Sequence, residues 1–277
     1  MHPQPPPAPL AIIPPTKTTP QPPRMILNQR QQELLDWVQR DGHVSVEKLA
    51  NHFNVTHQTI RRDINQLADA RQLQRVHGGA SAHSSVENVA YNTRQVMFSA
   101  EKQRIARLVA QHIPNHASLF INLGTTTEEV AKALSNHVGL RVITNNLNVA
   151  AMMCTYADSE VIVAGGVMRP RDRGIIGEAT IEFIRKFRVD YAILGISSIE
   201  SDGTLRDFDL REVRTSEALI EQSRNVYLVA DHSKFGRPAM VQLGHLSQVT
   251  ALFTDAPLPE NMAGVLAETS TELYIAS

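Results

Sequence analysis

The chain of 277 residues holds a single cysteine, Cys154. One thiol excludes an intrachain disulfide framework and a cysteine-built zinc site. It ends the apolar helical run Val149-Ala150-Ala151-Met152-Met153-Cys154, so a small buried thiol is expected there rather than a nucleophile. The eleven histidines show no ligand spacing with cysteine or carboxylate. No metal and no cofactor are expected. No apolar run approaches the length of a membrane span, and the N-terminus lacks the basic-then-apolar order of a secretory signal. A cytoplasmic protein with no membrane partner fits. No internal repeat is visible. The net charge of −1 excludes a strongly basic body. That charge is uneven, however. Residues 1–80 carry nine Lys/Arg against six Asp/Glu, which is +3 and leaves −4 for the remainder. Any nucleic-acid footprint therefore sits at the N-terminal end and is modest per subunit. Pairing in a dimer would double it.

Residues 1–24 hold ten of the fifteen prolines and no apolar periodicity. This composition predicts a disordered tail. The periodic pattern begins just after Met25, which could be the functional start. Residues 26–41 read as a first helix with Leu34, Leu35 and Val38 on its apolar side, stopped at Asp41-Gly42. Ser45 caps a second helix, Val46 to Phe53, which buries Leu49, Ala50 and Phe53. Small Ala50 lets that helix approach the next. The third helix opens at Thr56, placed to cap it, and puts Ile60, Ile64 and Leu67 on one face. Gln58, Arg61, Arg62 and Asn65 fall on the other. Arg forks onto guanine or phosphate, and an amide forks onto adenine. Alone, this helix reads equally as a solvated surface helix and as a DNA reader. Its neighbours decide, because two helices with this short connection form a helix-turn-helix. The stretch Leu73 to Ser81 then alternates, reverses at Gly78-Gly79 and alternates again, which predicts a hairpin wing. The candidate DNA contacts are Thr56, His57, Gln58, Thr59, Arg61, Arg62 and Asn65 on the helix, with Arg75 and His77 on the wing.

Residues 82–98 are polar and irregular and read as a linker. From Ser99 helices alternate with apolar strands, predicting strands at 118–123, 140–144, 160–164, 190–195, 225–230, 250–254 and 272–275. The fold class is therefore α/β, an N-terminal winged helix-turn-helix (25–81) followed by a parallel-rich sheet domain (99–277) for effector binding and oligomerisation. Open α/β sheets take ligands at the carboxyl ends of their strands. The first such end is Asn122-Leu123-Gly124-Thr125-Thr126-Thr127, where Gly admits a close anion and the Thr hydroxyls and free helix N–H groups can hold phosphate oxygens. Taken alone, Thr126 or Thr127 could equally cap its helix. Other strand ends add Asn145-Asn146, Gly165-Gly166, the loop Gly174 to Gly177, Ser198, and Lys234 in Asp231-His232-Ser233-Lys234-Phe235-Gly236. The candidate effector residues are Gly124, Thr125, Thr126, Thr127, Asn145, Asn146, Gly165, Gly166, Gly177, Ser198, Asp207, Glu212 and Lys234. None is expected to be catalytic. Asp207, Asp209 and Glu212 could supply the base of an isomerase, but no His is paired with them, and they serve as well as hydroxyl ligands or helix N-terminal charges.

Thr59-Ile60-Arg61-Arg62-Asp63 followed by His77-Gly78-Gly79-Ala80 resembles the signature of the DeoR family of bacterial repressors. The second half is similar to that family's effector domain, through Thr144-Asn145-Asn146-Leu147-Asn148-Val149-Ala150, Gly174-Ile175-Ile176-Gly177-Glu178-Ala179, Glu212-Val213-Arg214-Thr215 and Asp231 to Arg237. The resemblance covers residues 25–277. It implies a sheet domain resembling sugar-phosphate isomerases and aminosugar-phosphate deaminases in fold. It also implies a repressor that binds double-stranded operator DNA as a dimer or tetramer and is released by a phosphorylated small metabolite. The subgroup it is nearest favours glycerol metabolism and glycerol 3-phosphate. Three positions depart from the pattern. Arg71 stands where the family often has Gly before the wing, Asn122 where Asp is common, and Arg173 where this subgroup often has Gly. A sugar-phosphate isomerase or deaminase-like enzyme with a DNA-binding appendage is the alternative.

Overall fold

A computed structural model describes residues 27–41, 43–69, 72–76, 78–81 and 88–277. The Pro-rich tail, Gly42, Arg71 and His77 lie outside the described residues, as do 82–87 of the expected linker. The N-terminal unit packs α1 (Gln29–Asp41), α2 (Val46–Phe53) and α3 (His57–Asp69). Ser45 Oγ accepts the Lys48 N–H at 3.2 Å, and Thr56 Oγ1 accepts the Thr59 N–H at 3.2 Å, so both expected caps form. Asn54 takes the left-handed conformation between α2 and α3 (φ 50°). Leu34, Leu35, Val38, Leu49, Ala50, Ile60, Ile64 and Leu67 make one core. Burying each large apolar side chain in it contributes roughly 1.5–3 kcal/mol. Phe53 stays half-buried at its edge.

The wing is a three-stranded antiparallel sheet rather than a hairpin alone. Strand β1 (His43–Ser45) pairs with β3 (Gly79–Ser81), which pairs with β2 (Gln74–Val76). Three residues are too few for β1 to show a period. Gly79 faces Ser45 in that ladder, and a Cβ on it would overlap the Val44 carbonyl oxygen, so glycine is needed for close approach.

The stretch expected to be an irregular linker contains helix α4 (Tyr91–Val96). It buries none of its residues, so no apolar stripe announced it. It is pinned by polar bonds instead. Tyr91 Oη donates to Glu128 Oε2 at 2.7 Å, and buried Lys102 donates through Nζ to the carbonyls of Arg94 and Met97, the latter at 2.7 Å.

The large domain alternates α5 (Ser99–Gln111), β4 (Ser118–Ile121), α6 (Thr125–Ala133), β5 (Arg141–Thr144), α7 (Leu147–Met153) and β6 (Glu160–Val163). It continues with β7 (Val167–Arg169), β8 (Gly174–Ile176), α8 (Glu178–Ile184), β9 (Val189–Gly195), β10 (Ser198–Ile199), β11 (Thr204–Asp207), α9 (Leu210–Glu221) and β12 (Ser223–Val229). It closes with β13 (Val241–His245), β14 (Ala251–Thr254), α10 (Ala263–Glu268) and β15 (Glu272–Ile275). Seven strands form one parallel sheet in the order β15-β14-β12-β9-β4-β5-β6. Successive residues point to opposite faces. Phe120, Leu194 and Leu228 fill one core, and Leu119, Ile121, Ile193 and Val229 the other. Both faces being covered explains why these strands read as unbroken apolar runs.

Two expectations are corrected and one element is new. Gly174-Ile175-Ile176 is a buried strand rather than a flexible loop, because β8 pairs antiparallel with β7. Strands β10, β11 and β13 form a further antiparallel sheet, too short and interrupted to show a period. Cys154 is exposed at the end of α7, which turns Val149, Ala150 and Met153 inward instead.

Candidate functional site

The outer face of α3 carries Gln58, Arg61, Arg62, Asn65 and Gln66, all exposed. Thr56 and His57 are exposed at its start, with Thr59 half-buried, so every described DNA-contact candidate on this helix lies at or near the surface. Arg75 of the wing donates through Nη1 to Asn65 Oδ1 at 3.1 Å, which joins wing and helix into one polar face. The buried residue of the Arg-Arg-Asp run faces the other way. Asp63 accepts from Arg30 Nε at 2.6 Å, from Arg30 Nη2 at 3.3 Å and from Gln31 Nε2 at 3.3 Å. It ties α1 to the back of α3 and leaves Arg61 and Arg62 free to face outward. Sequence reading gave Asp63 no such role.

The second site follows from chain order. The chain enters the parallel sheet at β4, runs outward through β5 and β6, then crosses to β9 and runs outward the other way. The crevice between the β4 and β9 ends is the topological switch point, where such sheets take ligands. A cavity lies there, floored by Asn122, Leu123, Gly124, Thr125 and Thr126 after β4 and by Gly195, Ile196 and Ser197 after β9. Gly124 has φ +146° and caps the start of α6, where a Cβ would meet Thr127 Oγ1 at 3.3 Å. The first α6 bond runs from the Glu128 N–H to the Gly124 carbonyl, so the preceding N–H groups have no partner within the helix. The Thr motif divides its work. Thr127 Oγ1 donates to the Asn122 and Gly124 carbonyls, each at 2.8 Å, and shapes the turn. Thr125 and Thr126 line the cavity.

The lining carries both charges. Its cations are Lys234 and Arg94, with Arg237 and Lys102 in the adjoining cleft. Among the described residues none of these four is within salt-bridge distance of a carboxylate. Desolvation pushes Lys234 down to about 8. Asp231 opposes this, and the neighbouring Arg237, Lys102 and Arg94 add to it. Lys102 is likewise held at about 8 and Arg237 at about 10, in each case mainly by desolvation. Arg237 lies over the Phe208 ring at 4.9 Å and donates to Asn88 Oδ1 at 2.9 Å.

The acidic part of the lining is Asp207, Glu212, Asp172 and Glu128. Buried Arg169 clamps this wall, donating to Asp172 at 2.6 Å and Asp209 at 2.9 Å and lying 2.5 Å from Glu212 Oε1. Asp207 accepts from Ser197 Oγ at 3.0 Å and from the Phe208 N–H at 2.6 Å. Burial still raises the Asp207 carboxyl against those bonds. Burial also raises Glu212, and the Asp207 charge adds to it, against the opposing pull of Arg169. Acids with raised affinity for a proton suit a ligand that brings hydroxyl donors.

Of the thirteen expected effector residues, the cavity gathers Gly124, Thr125, Thr126, Asp207, Glu212 and Lys234. Thr127 sits behind it. Asn145 donates to the Ile175 carbonyl at 3.1 Å, and Asn146 caps α7 while donating to Glu128 at 3.1 Å. Gly165 and Gly166 turn the chain between β6 and β7 against Thr180, and Gly177 precedes α8. Ser198 donates to the Arg237 carbonyl, and Ser197, one residue earlier, lines the cavity in its place. Asn122 has both ends of its amide occupied, donating to Ser216 Oγ at 2.7 Å and accepting the Leu123 N–H at 2.7 Å. Arg173, with φ +57°, reaches toward Asn148 outside the cavity. Sequence reading missed Asn88, Tyr91 and Arg94, because the segment carrying them has no periodic pattern. It missed Glu128, whose partners Tyr91, Asn146 and Asn148 lie far away in sequence, and it missed Asp172, which lies on a turn beside its partner Arg169.

Residues 30–86 match the model of the DeoR-like helix-turn-helix domain, and residues 97–256 match that of the DeoR C-terminal sensor domain. The chain is 52% identical to the glycerol-3-phosphate regulon repressor of Escherichia coli, over 89% of this chain and 98% of that one. It is 49% identical to the protein of the same name in Haemophilus influenzae, over 89% and 96%. These relatives are named as repressors, not as enzymes. A solved ribose 5-phosphate isomerase from Methanocaldococcus jannaschii is 12% identical with a TM-score of 0.38, covering 50% of this chain and 56% of that one, and it bears no weight here. On the two domain matches and the identity along its length, the chain belongs to the DeoR family.

Proposed function

We propose that the protein is a cytoplasmic transcriptional repressor of a glycerol-3-phosphate regulon, released from its operator by a phosphorylated small molecule, glycerol 3-phosphate first among them. The polarity of the cavity carries this reading. The open N-terminus of α6 together with Lys234 suits a phosphate dianion, and the acids at Asp207 and Glu212 suit hydroxyls on the same small molecule. The names of the relatives point to the same regulon. The outer face of α3 and the wing suit a major groove and its flanking phosphates, through Arg61, Arg62 and Asn65 with Arg75 beside them. The other candidates of that face, Thr56, His57, Gln58 and Thr59, lie at the helix start, where backbone N–H groups and short polar side chains meet a phosphate. His77, the other candidate, lies outside the described residues. The basic face is small, so two copies on a palindromic operator bind where one would not. We therefore infer a dimer or tetramer whose helix spacing the effector alters. A gel-shift titration with a panel of polyol and sugar phosphates tests this. Release by glycerol 3-phosphate at concentrations where glycerol and inorganic phosphate fail is the expected result. Release by none of the panel would sink the effector reading.

A further inference from the structure

The two matched domains leave residues 87–96 between them, and that gap contributes a wall of the effector cavity. Asn88, Tyr91 and Arg94 all line it. Asn88 donates to Ser197 Oγ at 3.1 Å and accepts from Arg237, so it bridges the floor and the basic wall. Tyr91 Oη donates to Glu128, which also accepts from Asn146 and Asn148 at 3.1 and 3.0 Å. Arg94 spends Nε on the Val89 carbonyl at 3.0 Å. Its terminal nitrogens have no protein partner among the described residues. Arg94 and Lys234 also line a second cleft, whose opposite side is the wing through Gln74, Val76 and Ser81. The same two cations thus border both the effector cavity and the seat of the DNA-binding domain. Between them Lys102 holds the end of α4 by two backbone carbonyls.

We propose that the α4 connector is part of the effector site, that Arg94 is a ligand of the effector's phosphate, and that effector binding reaches the wing by re-seating this helix. This rests on the effector reading above. The argument is one of connectivity. The 231–237 loop of the sheet domain also borders the wing cleft through Ser233, Lys234 and Arg237, but it is not joined along the chain to the wing. A ligand held partly by α4 pulls directly on the segment that leads to β3. Differential contact with the connector supplies the two-state element that linkage requires. Arg94 suits the phosphate end because it faces the cavity beside Lys234 with a free guanidinium fork, which matches two phosphate oxygens.

Hydrogen exchange on the full-length protein, with and without saturating glycerol 3-phosphate, tests this without a variant. The expected result is added protection at residues 91–97 together with 124–128 and 232–236. Protection confined to 124–128 and 232–236 would overturn the connector proposal and leave the effector reading standing. No protection anywhere would overturn both. In parallel, Arg94→Ala should weaken glycerol 3-phosphate binding by roughly 10-fold or more, as loss of a charge-assisted bond does, with Arg94→Lys recovering part of it. Binding within about twofold of wild type in Arg94→Ala, read by calorimetry, would remove Arg94 from the site.

Discussion

Asp63 is the acid in the centre of the DNA-reading helix that faces away from DNA, and Asp63→Ala isolates its role. The substitution removes a carboxylate that is 3% exposed and accepts two bonds from Arg30 and one from Gln31. Breaking a fully buried pair costs about 3–5 kcal/mol, because the surviving charge stays desolvated. Here the survivor is Arg30, whose side chain is 34% exposed, so water replaces much of what it loses. The remaining cost is that of lost charge-assisted bonds and a loosened α1, and we expect about 2 kcal/mol. For a domain of this size that lowers Tm by roughly 8–16 °C. The assay is built into the chain. Trp37, its single tryptophan, lies on α1, the helix that Asp63 holds, and donates to Asp41 at 2.7 Å. Its fluorescence therefore follows the N-terminal unit alone, while circular dichroism follows the helices of both units. The variant should show an early Trp37 transition, weaker operator binding and unchanged glycerol 3-phosphate binding. A Trp37 transition within about 0.5 kcal/mol of wild type would refute the reasoning. So would costs of Arg30→Ala and Asp63→Ala that simply add in the double variant.

Arg61→Ala and Arg62→Ala should each cost about 1–3 kcal/mol of operator affinity where the residue reads a base. A residue that meets a phosphate should instead lower the salt slope by about one, and gel shifts at several salt concentrations separate the two. Lys234→Ala should keep the operator complex and lose its sensitivity to effector. Release at wild-type effector concentrations would remove Lys234 from the site. The pH dependence has a definite sign. In the empty cavity the Lys234 ammonium is held at about 8, and a bound dianion favours the charged form and raises that value. Binding above pH 8 must then take up a proton, so affinity should fall by up to about tenfold per unit there and stay level just below. The same shift works oppositely on the unliganded fold. The penalty for the buried ammonium is full below pH 8 and is relieved as pH rises through that value. Calorimetry in buffers of different ionisation heat measures the proton uptake, and an affinity flat from pH 7 to 9 would contradict it.

How much was legible in sequence depended on what each residue packs against. Ile60, Ile64 and Leu67 repeat with the helical period, and all three are buried where that period places them. The strands of the parallel sheet are apolar on both faces, so their runs stood out, and the switch point followed from their order. Residues whose partners are polar and distant did not stand out. Arg169 pairs with its neighbour Asp172 but also gathers Asp209 and Glu212 from some forty positions on, and that distant half of the clamp has no local mark. Helix α4 is fixed by hydrogen bonds from Tyr91 and Lys102 rather than by an apolar stripe, so it read as irregular. Strand-end polar residues were found as a class but not sorted. Whether Ser197 or Ser198 faces the cavity is a matter of one residue of register at β10, and Asn145 and Asn146 each spend the NH2 group on the protein itself.

The two walls of the cavity show why a bifunctional ligand fits better than either half of one. Arg169 already satisfies the carboxylates behind the acidic wall. Burial holds Asp209 up, but the Arg211 bonds and Arg169 bring it down to about 2, so it is spent as an anion. Asp207, with raised proton affinity, is the acid that Arg169 leaves to meet a donor, while Glu212 already lies against Arg169 and Arg171. The cations have no such clamp. Desolvation costs Lys234 and Arg237 most, and their repulsion with Arg94 adds to it while Asp231 opposes it. A neutral polyol would answer the acids and leave those cations facing each other. A bare phosphate would answer the cations and leave the acids without donors. Joining the two groups in one small molecule satisfies both walls at a single entropic cost of binding. On the proposed reading, the phosphate end of the ligand meets Arg94 on the connector and so lies on the side of the DNA-binding domain.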